Sequence, residues 1–191
     1  MSDATRPQLR NAVLVGFILL AAAARLLPHP PNFSPVEAVA LFGGAYFASR
    51  WAALAIPLLS MVLADLGLAA LHGGIYADYL FGAGQLTVYG CVLAITAMGF
   101  GLRGQVGAGN VLAYGLSGSL LFFLVTNFAA WVGSSLYPPT FAGLMQSYAA
   151  GIPFFKWTVA GTFVYSAVLF GGFELLRHRV PGLSAGARAE A

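Results

Sequence analysis

The sequence predicts an all-α integral membrane protein with six transmembrane helices. Apolar residue types make up 59% of the chain and charged ones 8%, against about a quarter charged in a soluble domain. The charge deficit runs along the whole chain, whose mean hydropathy is +0.82. Apolar runs of helical length also recur six times between breaks rich in Gly, Pro or charge. The basic residues alternate in a pattern that fits an even number of crossings.

The elements follow in order. Residues 1–10, with Arg6 and Arg10, read as a polar tail, and residues 180–191 as a second one. The first run is Ala12–Leu27. Pro28, Pro30, Pro31 and Pro35 then forbid a continuous helix. Ser34-Pro35 followed by Glu37 reads as a helix start, with a hydroxyl cap and a proline at the first position. The second run, Pro35–Ala48, is short and carries Gly43-Gly44. The third is Trp51–Leu71, with Asp65 deep inside it. His72–Gly84 is expected as a loop containing Tyr76, Asp78 and Tyr79. The fourth run is Gln85–Leu102 with Cys91, and the fifth Val111–Trp131 with Asn127. Val132–Lys156, with Tyr137-Pro138-Pro139, is expected as a long connection. Its part Phe141–Tyr148 would form an interfacial or re-entrant helix. The sixth run is Trp157–Leu176, closed by Arg177-His178-Arg179. Spans of about 20 residues fit a bilayer, and the whole chain is expected to form one membrane domain.

Several function classes are excluded. A net charge of +3 is too small and scattered for a nucleic-acid footprint. One cysteine allows neither an internal disulfide nor a CxxC metal site. No cleavable leader is recognised, because the first run lacks a small-residue cleavage site. No internal repeat supports an inverted-repeat transporter. No histidine falls within a run, so nothing is placed to activate Cys91 for intramembrane hydrolysis.

Orientation follows from Lys and Arg. With the N-terminus inside, Arg6, Arg10, Arg50, Arg103, Arg177, Arg179 and Arg188 are cytoplasmic, and only Arg25 and Lys156 lie outside. Both termini are then cytoplasmic. Arg25, Glu37, Asp65, Gln85, Cys91 and Asn127 fall in the outer third of the bilayer at a rise of about 1.5 Å per residue. The three long Gly-, Pro- and Tyr-rich connections lie on the same side. This asymmetry predicts an outward-facing cavity roofed by loops.

Each polar residue has a structural and a functional reading. Arg25, Glu37 and Asp65 read as structural charge pairing. Asp65 also reads as a ligand contact, since an aspartate within a span costs roughly 2.5–3.5 kcal/mol on insertion scales. Asn127 reads as an interhelical hydrogen bond or a ligand contact. His29 and His72 read as solvated loop histidines. Trp131 and Trp157 suit an outer aromatic belt and Trp51 an inner one. Cys91 is either a small apolar packing residue or a soft metal ligand at cavity depth. As a thiolate in an apolar pocket it would need a metal to hold it deprotonated.

The run RLLPHPPNFSPVEAVALFGGAYF (Arg25–Phe47), with VYGCVLAI, LVTNFAAW and YPPTFAGLMQSYAAGIPFF, resembles a bacterial family of S-component-like proteins. S components are the substrate-binding membrane subunits of energy-coupling-factor vitamin transporters. Among them the chain is most similar to the solitary cobalamin-specific kind. The resemblance implies an S-component-like bundle in the bacterial inner membrane and uptake of a vitamin, cobalamin foremost. It implies Cys91 as ligand to the cobalt of cobalamin, with the thiolate assisting decyanation of cyanocobalamin. In this transporter, Tyr76, Tyr79, Tyr137 and Phe141 would shield the corrin ring, and Asp65, Gln85 and Asn127 would hold its amides. An energy-coupling membrane subunit with ATPases would be its partner, or none in a solitary mode. Two alternatives stay open: uptake of another small vitamin or precursor, and a structural membrane protein without a ligand.

Overall fold

The computed structural model describes residues 5–80, 82–133 and 135–183. They are helical, with no strand among them. Helix α1 (Thr5–Ala23) continues as a 3-10 turn through Leu26. It is followed by α2 (Val36–Tyr46), α3 (Arg50–His72), the short α4 (Ile75–Tyr79) and α5 (Ala83–Gly99). Next come α6 (Ala108–Gly133) and α7 (Phe141–Ser166), which passes through a π-helical segment (Ala167–Gly171) into α8 (Gly172–Arg179). Among the described residues five helices are long and apolar enough to cross a membrane: Pro7–Leu26, Arg50–His72, Ala83–Leu102, Ala108–Gly133 and Phe141–Arg179. The chain is thus compatible with a multi-pass membrane protein.

The second predicted run is the exception. Helix α2 has 11 residues, all of them buried, and a length of about 16 Å, half the hydrocarbon thickness. It forms the axis of the bundle. Its mixture of small residues and Leu41, Phe42 and Tyr46 lets neighbours approach closely, as membrane interfaces require. A Cβ on Gly99 would lie 2.7 Å from the Leu41 carbonyl oxygen and 3.1 Å from the Gly44 Cα. Gly44 likewise faces the Thr96 carbonyl and Gly99. Only glycine permits this α2–α5 contact. On another side Gly43 rests on Pro57 of α3.

Two further expectations change. Residues 5–10 are helical and not a tail, and Arg10 is buried. Its Nη2 donates to the Tyr46 carbonyl at 2.6 Å, which ties the first turns of α1 to the end of α2. Residues 1–4 and 184–191, including Arg188, lie outside the described residues. The connection before the last span is also short, because α7 starts at Phe141, where the Thr140 hydroxyl accepts from Gly143 N at 3.2 Å. The helix then continues without a break to Arg179. Its 39 residues measure about 58 Å, well beyond a hydrocarbon core of roughly 30 Å. Packing on α6 carries the extra turns. Ser147 Oγ donates to the Asn127 carbonyl at 2.8 Å, Tyr148 Oη to the Leu124 carbonyl at 3.1 Å, and Phe123 meets Phe155 at 4.9 Å.

The outer surface is apolar. Leu112, Leu116, Leu120 and Leu124 form an exposed row along α6, and Leu59, Leu63 and Leu66 project from α3. Such surfaces are expected where the solvent is lipid.

The two ends of α2 differ in character. At its C-terminal end the last carbonyls have no helical partner. Arg103 Nε donates to Gly44 O at 3.0 Å and Arg103 Nη2 to Phe47 O at 2.8 Å, while Arg10 takes Tyr46 O. Two guanidinium groups at a helix C-terminus also oppose its dipole favourably. Around them Phe17, Phe42, Tyr46, Phe170 and Phe173 pack together, Phe17 on Phe42 stacked and the other pairs edge to face or tilted, with centroids 4.6–6.2 Å apart. Tyr46 also donates its hydroxyl to Glu174, which pairs with Arg177 at 2.6 Å.

Candidate functional site

The N-terminal end of α2 opens into a cavity of about 270 Å³. It lies where α2 meets α3, α4, α5, α6, α7 and the proline-rich segment after α1. The lining includes Arg25, His29, Asn32, Ser34, Glu37, Tyr76, Gln85 and Thr158, with Val36, Leu68, Val88 and Phe122 as apolar walls.

The proline-rich segment cannot coil into a helix, so it bends across the bundle. Asn32 takes a left-handed conformation (φ 64°), which asparagine tolerates better than most residues. Ser34 then lies against Gly161 of α7: a Cβ there would come within 2.8 Å of Ser34 N and 2.9 Å of Ser34 O. This backbone-to-backbone contact places the roof residues over α7 and directs α2 inward. Pro35 is the N-cap of α2 and gives no side-chain cap.

One wall is a polar network around Asp65. Arg25 Nη1 pairs with Asp65 Oδ1 at 2.7 Å and approaches Met61 Sδ at 3.8 Å. Gln85 Nε2 donates to Asp65 Oδ2 at 2.6 Å, and Tyr89 Oη donates to the same oxygen at 2.9 Å. The aspartate therefore has a cation and two neutral donors, which offsets its removal from water. The network joins the 3-10 end of α1 to α3 and α5.

Glu37 has a different arrangement. Although 1% exposed, it lines the cavity. Its Oε2 accepts from Thr162 Oγ1 at 3.3 Å, and Thr162 in turn accepts from Ser119 Oγ at 3.0 Å. Of the two pairings expected of Arg25, with Glu37 or with Asp65, the structure forms the one with Asp65, and Glu37 has no ion pair among the described residues. The reason is rotational: the start of α2 turns Glu37 towards α7, while Arg25 faces α3.

The structure brings together Arg25, Glu37, Tyr76 and Gln85 at the cavity, with Asp65 bonded behind them. It leaves the other expected contacts elsewhere. Asn127 donates its Nδ2 to Phe123 O at 2.8 Å and packs against Gly151, between α6 and α7. Tyr79 is 62% exposed at the end of α4, and Phe141 is 76% exposed at the start of α7. Tyr137, in the α6–α7 connection, does not line the cavity. Cys91 is 2% exposed within the apolar core, on the buried face of α5 shared with Val92, Ile95 and Gly99. It lies three residues, about one turn, deeper than Val88 and outside the cavity lining. Among the described residues no three of His, Cys, Asp or Glu converge as a metal site would need. The sulfur has the surroundings of a packing residue.

Sequence reasoning assigned no role to Asn32, Thr158 or Thr162, and read His29 as a solvated loop residue. A signal existed for the threonines. Thr158 and Thr162 are one helical turn apart, so both hydroxyls lie on one face of an otherwise apolar helix. His72, by contrast, stays at the surface and stacks on Tyr76, with ring centroids 5.3 Å apart.

Residues 5–183 match the model of a family of unknown function, DUF6580. The chain belongs to that family. No curated protein and no solved structure matches it.

Proposed function

We propose that this protein is a membrane-embedded binding and uptake protein for a small polar organic molecule, a vitamin or vitamin precursor. The observation that carries the reading is the cavity at the N-terminal end of α2. It is an open-mouthed cleft between the roof segment and several helices, lined by convergent polar groups and set in an otherwise apolar bundle. Its 270 Å³ is just below the range for ligand pockets, roughly 300–1,000 Å³, which suits no more than a one-ring molecule. The S-component-like architecture inferred from sequence agrees with this role. In that setting the cavity faces outward, both termini are cytoplasmic, and the membrane is the bacterial inner membrane. An energy-coupling subunit with ATPases would complete a transporter, and a solitary mode would need none.

The size of the cavity and the burial of Cys91 favour a small vitamin over cobalamin. A corrin would require the roof to lift and α5 to expose a residue one turn deeper. The test is ligand-induced stabilisation of the purified full chain in detergent by a panel of water-soluble vitamins and precursors, cyanocobalamin included. A one-ring ligand that raises the melting temperature, and binds equally well to Cys91→Ala, supports the proposal. Cyanocobalamin binding with a shifted absorbance spectrum that Cys91→Ala abolishes would replace it with the cobalt-ligand reading. Failure of every compound would leave a structural membrane protein as the better description.

A further inference from the structure

The charges facing the cavity do not balance. Its charged side chains are Arg25 and Glu37, with the titratable His29 at the exposed rim. The Arg25 charge is already met by Asp65 at 2.7 Å, and Gln85 and Tyr89 complete the aspartate. Glu37 accepts one side-chain hydrogen bond, from a hydroxyl at 3.3 Å, the long end of hydrogen-bond geometry; its own backbone N–H also faces the carboxylate, and Arg25 acts on it only through space. No basic side chain stands within ion-pair distance of it among the described residues. A buried carboxylate in this condition either stays protonated or acquires a cation. Bridging hydroxyls from Ser119 and Thr162 orient the carboxylate from the protein side, while its other approach is the cavity.

From this geometry we propose that the cavity takes a small organic cation, whose ammonium, amidinium or protonated ring nitrogen bonds to the Glu37 carboxylate at the floor. Phe122 and Tyr76 supply aromatic walls, which favour a flat cationic ring. The Arg25–Asp65 pair is the neutral side of the pocket and bonds uncharged ligand groups through Gln85. The inference rests on the uptake reading and narrows its substrate class from polar molecules to cations.

The test compares matched probes on the purified full chain in detergent by thermal shift and calorimetry. Pyridoxamine, thiamine and choline are the cations, pyridoxine and nicotinamide the neutral probes, nicotinate and pantothenate the anions. At least one cation is expected to bind, and pyridoxamine to bind more tightly than pyridoxine. This selectivity is read in the native protein and needs no variant. Glu37→Gln, which keeps the shape and one acceptor, is expected to weaken cation binding about tenfold or more, the contribution of one charge-assisted hydrogen bond. Val88→Phe, which fills the cavity from α5 without touching Glu37, is expected to abolish it. Preference for a neutral or anionic probe, or cation binding indifferent to Glu37→Gln, overturns the inference and leaves the uptake reading intact. No binding by any probe overturns both.

Discussion

Helix α2 has two ends built from similar residue types, and they do opposite things. At the C-terminal end, Arg10 and Arg103 spend their N–H groups on the Gly44, Tyr46 and Phe47 carbonyls, and aromatic rings fill the space around them. At the N-terminal end, Arg25 is equally committed to Asp65, yet Glu37 faces a cavity with one side-chain hydrogen bond and no ion pair among the described residues. An arginine or a carboxylate in a membrane bundle is therefore no guide to function by its type. What separates structural from functional charge is whether the fold itself completes the hydrogen bonds.

The comparison can be broken most severely at Asp65. Asp65→Ala strands the Arg25 guanidinium and removes the acceptor of Gln85 and Tyr89. A loss of roughly 3–5 kcal/mol is expected, measured by denaturant titration in mild detergent, with Asp65→Asn recovering part of it. Next is the close approach that seats α2. Gly99→Leu forces the Leu41 carbonyl away and is expected to cost about 3 kcal/mol and to impair ligand binding too, since the cavity floor moves with α2. Arg103→Ala uncaps two carbonyls at the closed end. It should cost about 2 kcal/mol and leave binding at the open end unchanged, in contrast with Glu37→Gln, whose main effect is on binding. A ligand affinity that falls with Arg103→Ala would show that the two ends are coupled through α2. The smallest effect is expected at Cys91. Cys91→Ala should lose about 1 kcal/mol by leaving a small void. The native thiol should resist a membrane-permeant maleimide until the protein unfolds. Rapid labelling of the folded protein would show that α5 opens to the cavity and would revive the cobalt-ligand reading.

Particular residues show what could be read in advance. Asp65 stood out because insertion of an aspartate is costly, and Arg25 because it breaks an apolar run; both belong to the network beside the cavity. The roof was visible in its prolines. Glu37 was noticed as well, but which of Glu37 and Asp65 pairs with Arg25 could not be read in advance, and the structure takes Asp65. Helical spacing gives depth along an axis, and pairing depends on the rotation of two helices about their own axes, which apolar runs without a strong periodic stripe do not encode. Asn127 shows the same limit, since it sits at the right end of α6 but packs against Gly151 of α7. Phe141 was misplaced for another reason. Bilayer thickness suggested a span beginning at Trp157, while packing against α6 extends the helix by four turns.

The sequence by itself determined the solvent of this protein and the composition of its spans, because transfer of apolar and charged groups to lipid is nearly additive along the chain. It also determined where the chain must break, because proline removes a donor and restricts its neighbours wherever it occurs. Only the tertiary structure decided that the shortest apolar run is the buried axis of the bundle, that Cys91 is packed and Glu37 faces a cavity. Those outcomes depend on which helix faces meet. Close contacts such as Gly44 on Gly99 and Ser34 on Gly161 bring together residues more than 50 positions apart.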